Sequence, residues 1–356
     1  MTRLVFFTDP HLGKVLSSHT TPTSRERLKD DLFLQANGIV KDYSLSNQRT
    51  EIFCAGDLFD KFSNKEETLS QGAKILCGID GCLAGNHDLI ADTAELSSLQ
   101  LLDSLVDGLS VVLTPMELYN DEDFYVYGIP HVTTQKQFED ELLKVKGQRN
   151  KTNILVLHCN YDSDFATQET SLNLTQETAT FLLEQRGFNF ILIGHEHNPR
   201  RCLGGRVIVM GNTHPTSFHD ISDKFVWEFT PEGVTQNKVY SAAECYQKYT
   251  VQEFLALEEL PDYLHWVDIQ GTIEPGRSVE LAKKVKALWQ TGEQYAVRVQ
   301  VTPASATPEA EGEVQGFLQV LGQIEAELNS IDPAMKNLFV EVLDEVMKEK
   351  ETNATA

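Results

Sequence analysis

The chain has 356 residues, 41% of them hydrophobic, and a formal net charge of −23. That is more than one ordinary core needs, and the acidic balance argues against a protein that grips a polyanion by its own surface charge. No apolar run reaches the roughly 18 residues of a spanning helix, and the six cysteines contain no Cys-x-x-Cys pair, so a cytoplasmic protein with reduced thiols and no membrane partner is expected.

The first stretch, MTRLVFFTDPHLG, has one basic residue and a short apolar run; it reads as a first strand rather than a secretory leader. A helix from Ser24 follows, with Leu28, Leu32, Ile39 and Tyr43 on one face, and another over 95–106 turns Leu96, Leu99, Leu102 and Val106 inward. Between them and onward to 248 run the β-rich segments EIFCAG, CLAG, VYGI, ILVLH, FILIG, VIVMG and FVWEF. Strands of this apolar kind, interleaved with helices, indicate a layered α/β domain over 1–248. Beyond it, HWVDIQGTI and YAVRVQV flank a helix at 279–289, a small α+β unit over 249–303. A Pro-, Ala-, Thr- and Glu-rich linker fills 304–312. A helical pair over 313–350 follows: Val314, Phe317, Leu318, Leu321, Ile324 and Leu328 line one apolar face, and Met335, Leu338, Phe339, Val342, Leu343 and Val346 the other, after an Asp332-Pro333 cap.

The chemistry collects where β-runs end. LVFFT ends in Asp9-Pro10-His11, EIFCAG in Asp57 with Asp60 beyond, CLAG in Asn86-His87-Asp88, ILVL in His158, and FILIG in His195-Glu196-His197. The C-terminal edge of an open α/β sheet is where ligands bind, so five strands would aim carboxylates, imidazoles and one amide at a single edge. Mixed Asp and His donors suit first-row dications such as Mn²⁺, Fe²⁺ or Zn²⁺. A pair of such ions about 3.5–4 Å apart clamps the attacking and leaving oxygens of a displacement at phosphorus, and a carboxylate such as Asp57 can bridge them.

The ordered set D-x-H, G-D-x-x-D, G-N-H-D, an isolated His and G-H-x-H, spread over roughly residues 1–212, resembles the calcineurin-like metallophosphoesterase superfamily. The resemblance implies a layered sandwich of two mixed sheets flanked by helices, with two divalent metal ions, Mn²⁺ foremost and Mg²⁺, Fe²⁺ or Zn²⁺ as alternatives. Asp9, His11 and His197 would hold one ion, Asn86, His158 and His195 the other, and Asp57 would bridge. His87 would serve the leaving oxygen, Asp88 would orient His87, and Asp60 would hold a ligand histidine in place. TDPHLGK and AGDLFDKF look most like the DNA-repair nuclease branch, the SbcD-type subunits and their phage recombination counterparts. That branch implies a phosphodiesterase acting on DNA, with 249–303 as a capping domain and 313–350 docking on an SMC-like ATPase. A homodimer surface, or a hairpin covering the chain's own core, is the plainer reading of those helices. Hydrolysis of small nucleotides or phosphomonoesters, and a non-catalytic scaffold, are the competing functions. The basic residues near the motifs, Lys14, Arg25, Arg27, Arg200 and Arg201, read first as solubilising charge.

Overall fold

In the first strand, Leu4 and Phe6 turn to one side and Val5 and Phe7 to the other, and all four are fully buried. A strand with no solvent face must lie between two layers. The computed structural model, which describes residues 2–46, 48–89, 95–163, 172–274, 276–304, 312 and 314–322, shows what those layers are. The described residues form two compact units: Met1–Val15 with Leu28–Glu244, and Leu16–Arg27 with the described residues from Cys245 onward.

The first unit runs β1 (Arg3–Phe7), α1 (Pro22–Ser44, of which it holds the part from Leu28 on), β2 (Thr50–Cys54), α2 (Glu66–Leu76), β3 (Gly81–Leu83), α3 (Ser98–Leu105), β4 (Val111–Val112), β5 (Met116–Asn120), β6 (Phe124–Ile129), α4 (Gln135–Lys144), β7 (Thr152–His158), β8 (Asn160–Tyr161), β9 (Asn173–Leu174), α5 (Gln176–Glu184), β10 (Phe190–Gly194), β11 (Arg200–Cys202), β12 (Val207–Val209), β13 (Lys224–Thr230) and β14 (Gly233–Tyr240). One six-stranded sheet has the order β14-β13-β1-β2-β3-β4, the other β11-β12-β10-β7-β6-β5. In both, parallel central strands carry antiparallel strands at an edge, so the sheets are mixed as expected.

Strand alternation sorts the core into layers. Leu4, Phe6, Phe53, Ile154, Val156, Leu192 and Trp227 meet in one cluster drawn from both sheets. Val5, Phe7, Ile39, Ile75 and Leu99 pack the first sheet on its helices, and Phe138, Leu155, Leu182 and Ile191 pack the second on its own. Each sheet is thus covered by helices on its outer side. The helix expected over 95–106 is shorter than its apolar pattern: Ser97 caps it in a reciprocal box with Gln100, which places Leu96 before the first turn, where it is exposed.

α6 (Ala242–Cys245) ends the first unit, and the second contains β15 (Tyr246–Thr250), α7 (Val251–Ala256), β16 (Trp266–Ile273), α8 (Ser278–Thr291) and β17 (Ala296–Pro303). Its three strands are parallel, in the order β15-β16-β17. The sequence boundary at 248/249 falls inside β15, whose exposed Gln247 and Lys248 mask its strand pattern; it is an edge strand, where polar side chains are tolerated. The excursion Leu16–Arg27 ties into this unit where the Val297 amide donates to the His19 carbonyl at 2.8 Å. Residues 314–322 are helical, and Val314, Phe317 and Leu321 join the core formed by Val251, Phe254, Val267, Ile269, Leu281, Val285 and Leu288. The second helix of the expected pair, the distal part of the first and most of the linker lie outside the described residues. No described helix is long and apolar enough to cross a membrane.

Candidate metal centre

Five parallel strands of the first unit, β1, β2 and β3 in one sheet and β7 and β10 in the other, end at one edge, and every expected ligand lies at or just beyond those ends. Backbone bonds lock the loops together there. The Asp9 amide donates to the Gly56 carbonyl at 3.0 Å, the His11 amide to the Asp57 carbonyl at 3.1 Å, and the His131 amide, beyond β6, to the Ala84 carbonyl at 2.9 Å. Asp9, His11, Asp57 and His195 all have positive φ, from 47° to 90°, and make up half of the non-glycine residues in that conformation among the described ones. Strain of this kind persists where the surroundings over-determine it, and it gathers at functional sites.

The glycines before Asp57 and Asn86 have a steric reason. A Cβ on Gly56 would stand 2.1 Å from His158 Nδ1, and one on Gly85 would stand 2.0 Å from Asp57 Oδ1. Only a hydrogen lets these loops approach the ligands behind them.

The side chains converge. His11 Nε2 and His197 Nε2 face each other at 3.0 Å, and Asp9 Oδ1 lies 3.7 Å from His11 Nε2. Asn86 Oδ1 lies 2.8 Å from His195 Nδ1 and 3.1 Å from His158 Nε2. Asp57 Oδ2 stands 3.3 Å from His158 Nε2 and 3.9 Å from His11 Nε2, between the two groups. Donor atoms of Asp9, His11 and His197 lie within 4.8 Å of one another, as do those of Asp57, His158 and His195, and those of His11, Asp57 and His87. Asp57 and His195 can therefore share an ion.

These residues fit divalent cations on two counts. Bonds of about 2.1 Å meeting at a right angle put two ligand nitrogens roughly 3.0 Å apart, which is the His11–His197 separation. The electrostatics also call for positive charge. Asp9 and Asp57 are fully or almost fully buried. Burial would raise the Asp57 carboxyl, yet the His158 imidazole beside it holds it far below the usual carboxylate range. Burial opposes charge on His158 too, and Asp57 nonetheless pushes it up to about 10. The His158 ring donates Nδ1–H to the Ala55 carbonyl at 2.8 Å, which turns Nε2 toward the other ligands.

One expected role falls to a different residue. The Asp88 carboxylate accepts the backbone amides of Leu58, Phe59 and Gly85 at 3.0–3.2 Å, stitching the β2 and β3 loops together. His87 is oriented by Asp60 instead: its Nδ1 lies 2.7 Å from the Asp60 carbonyl oxygen, while its amide donates to Asp57 Oδ1 at 2.9 Å. The reason is geometric, since the Asp88 carboxylate is turned to the amides of Leu58, Phe59 and Gly85. The Asp60 carboxylate lies 3.6 Å from His11 Nδ1, beyond a hydrogen bond, and pairs with Lys14 Nζ at 2.9 Å. Lys14 is thus tied to the site, Arg200 pairs with Glu196, and Arg201 lies over the Trp227 ring.

Sequence reasoning missed Asp220, Lys224 and His131. Asp220 Oδ2 lies 3.0 Å from His197 Nδ1, and Lys224 Nζ donates to the His197 carbonyl at 2.9 Å. The stretch that carries Asp220, GNTHPTSFHD, is another strand end; the His214 ring meets Tyr240 edge-on, and the aspartate after His219 reaches the site. Burial and then His158 push His131 down to about 4.

Residues 2–199 match the family model described as Calcineurin-like phosphoesterase. No curated protein matches the chain. Among solved structures, similarity extends to the protein TT1561 of Thermus thermophilus (10% identity, 67% of this chain and 99% of that one, TM-score 0.41). It extends also to the NAD nucleotidase NadN of Haemophilus influenzae (13%, 90% and 60%, TM-score 0.37) and a metallophosphoesterase from Sphaerobacter thermophilus (15%, 67% and 89%, TM-score 0.30). The family match spans more than half of the chain and contains every proposed ligand. The chain belongs to the calcineurin-like phosphoesterase family, metal-dependent phosphoester hydrolases that work with divalent ions in a dinuclear site.

Proposed function

We propose that the protein is a DNA phosphodiesterase, an exonuclease or endonuclease of repair or recombination that works with an SMC-like ATPase subunit. The observation that carries the hydrolytic part is the place of His87, whose ring nitrogen shares a 4.8 Å cluster with His11 and the bridging Asp57. Asp9, His11 and His197 would hold one cation and Asn86, His158 and His195 the other. When bound, such a pair supplies the charge that neutralises the phosphate oxygens and acidifies the attacking water. His87 does the remaining work. With Nδ1–H on the Asp60 carbonyl, its exchangeable proton is on Nε2, and as an imidazolium it delivers that proton to the leaving oxygen. The backbone bond from His87 to Asp57 keeps acid and bridging ligand in step.

DNA as the substrate is supported by the nuclease-like context of TDPHLGK and AGDLFDKF and by the α+β unit that follows the phosphoesterase unit. The charge of −23 favours a second reading, a hydrolase of small nucleotides. With Mn²⁺, the full chain should degrade linear DNA far faster than it hydrolyses mononucleotides. His87→Ala should lower kcat roughly 10²- to 10⁴-fold while Mn²⁺ binding persists. A preference for mononucleotides by orders of magnitude would replace DNA with the second reading. Turnover that ignores His87 would remove its role as acid, and no turnover on any phosphoester would leave a scaffold.

The docking of 313–350 on an ATPase is tested by co-purification. Val314, Phe317 and Leu321 belong to the second unit's own core, so the truncation should begin after residue 322. Loss of the ATPase supports docking; retention with a change from dimer to monomer points to a homodimer surface.

A further inference from the structure

Asp220 lies in no metal-binding motif, yet it is 3% exposed and its two carboxylate oxygens collect six donors. Oδ2 stands 3.0 Å from His197 Nδ1, 2.8 Å from Asn212 Nδ2, 3.0 Å from the Thr216 amide and 3.0 Å from Thr216 Oγ1. Oδ1 takes the Ser217 amide at 2.7 Å and Ser217 Oγ at 2.9 Å. Lys224, a fully buried cation, ties the same pieces from behind: Nζ donates to the Asp220 carbonyl at 2.5 Å, the His197 carbonyl at 2.9 Å and Ser222 Oγ at 3.1 Å. Burying a carboxylate and an ammonium is costly unless both are fully bonded, and both are.

One contact turns this network from a loop clasp into part of the site. A neutral imidazole carries one N–H and one lone pair, and the partner of one nitrogen decides which is which. A carboxylate only accepts, so Asp220 places the proton of His197 on Nδ1 and the lone pair on Nε2. Nε2 is the atom that faces His11 Nε2 at 3.0 Å. Lys224 fixes the same residue through its backbone, so both ring and main chain of His197 are set from one centre.

The other ligand group is wired differently. His158 turns Nδ1 to the neutral Ala55 carbonyl, while His195 turns Nδ1 inward to its fellow ligand Asn86. A carboxylate partner raises the basicity of a ligating imidazole more than a neutral carbonyl does. We infer that Asp220 is a positioning residue that makes the Asp9–His11–His197 position bind its cation more tightly than it otherwise would. The inference rests on the dinuclear reading of the site.

Calorimetric titration of the metal-free full chain with Mn²⁺, beside Mn²⁺ electron paramagnetic resonance, tests it. The wild type should take up two ions. Asp220→Asn should weaken one of them roughly 10- to 100-fold and leave the other unchanged, and Asp220→Glu should recover part of the loss. Unchanged binding of both ions, or equal weakening of both, overturns the inference. No binding by the wild type removes the dinuclear reading itself and the inference with it. Should Asp220→Asn fail to fold, long-range ¹H–¹⁵N spectra of Zn²⁺-loaded wild-type protein decide, with His197→Asn assigning the ring. A proton on His197 Nδ1 supports the inference; metal on Nδ1 overturns it.

Discussion

Gly85 shows how little room single residues leave at this site. Its missing side chain is what allows Asp57 to sit between two clusters of imidazole, because a methyl group there would lie 2.0 Å from the carboxylate. Gly85→Ala should therefore displace Asp57 and lower kcat by at least the roughly 10²-fold that misplacing a reacting group by about 1 Å can cost. Steady-state kinetics beside a Mn²⁺ titration would check this, and wild-type values for both would show that the loop yields. The same scale explains why the Asp60 carbonyl, and not the Asp88 carboxylate, orients His87. Adjacent polar residues at a strand end look alike in a sequence, but one carboxylate is spent on three backbone amides, while the neighbouring loop's carbonyl takes the imidazole.

At the scale of elements, α1 and α7 offer opposite tests. Gly38 lies in α1 with nothing within 4 Å of an added Cβ. Gly38→Ala should raise unfolding free energy by about 0.4–1 kcal/mol, because alanine narrows the unfolded ensemble and suits a helix; a urea titration reads it, and a loss of stability would contradict the placement. α7 is only six residues long and depends on its cap, where Thr250 Oγ1 accepts the Glu253 amide at 3.1 Å and Glu253 returns the bond to the Thr250 amide at 2.8 Å. Thr250→Ala should cost roughly 1 kcal/mol. Phe254→Ala in the same helix should cost about 3–5 kcal/mol, since Phe254 is fully buried in the second unit's core.

Across the whole phosphoesterase unit, the proposed ligands come from both sheets: Asp9, His11, Asp57 and Asn86 follow strands of one, and His158, His195 and His197 belong to or follow strands of the other. Ions held there would clamp the two halves of the sandwich together. Chelation should abolish hydrolysis and lower the thermal midpoint, and Mn²⁺ at 100 times its dissociation constant should return about 2.7 kcal/mol of stability per site by mass action. Calorimetry with and without EDTA measures it; an unchanged midpoint would mean that the sandwich closes without help from its ligands. The net charge of −23 belongs to this scale as well. Any affinity for DNA must come from local features or from a partner, so it should fall only gently with salt for the chain alone.

Strand alternation, glycine placement and the order of Asp, Asn and His at successive strand ends are local properties, and from them the layered fold and the identities of the candidate ligands could be read directly. Parallel strands send their C-terminal ends to the same edge, so a list of strand-end residues is already a list of neighbours. What tertiary structure alone decided was which acceptor each of those residues finds. Asp220 sits 23 residues past His197, and its link to that ring depends on a loop path that no periodicity encodes. The apolar face beginning at Val314 looked unpartnered for the same reason: a helix announces that it has a face to bury, but only packing determines what buries it.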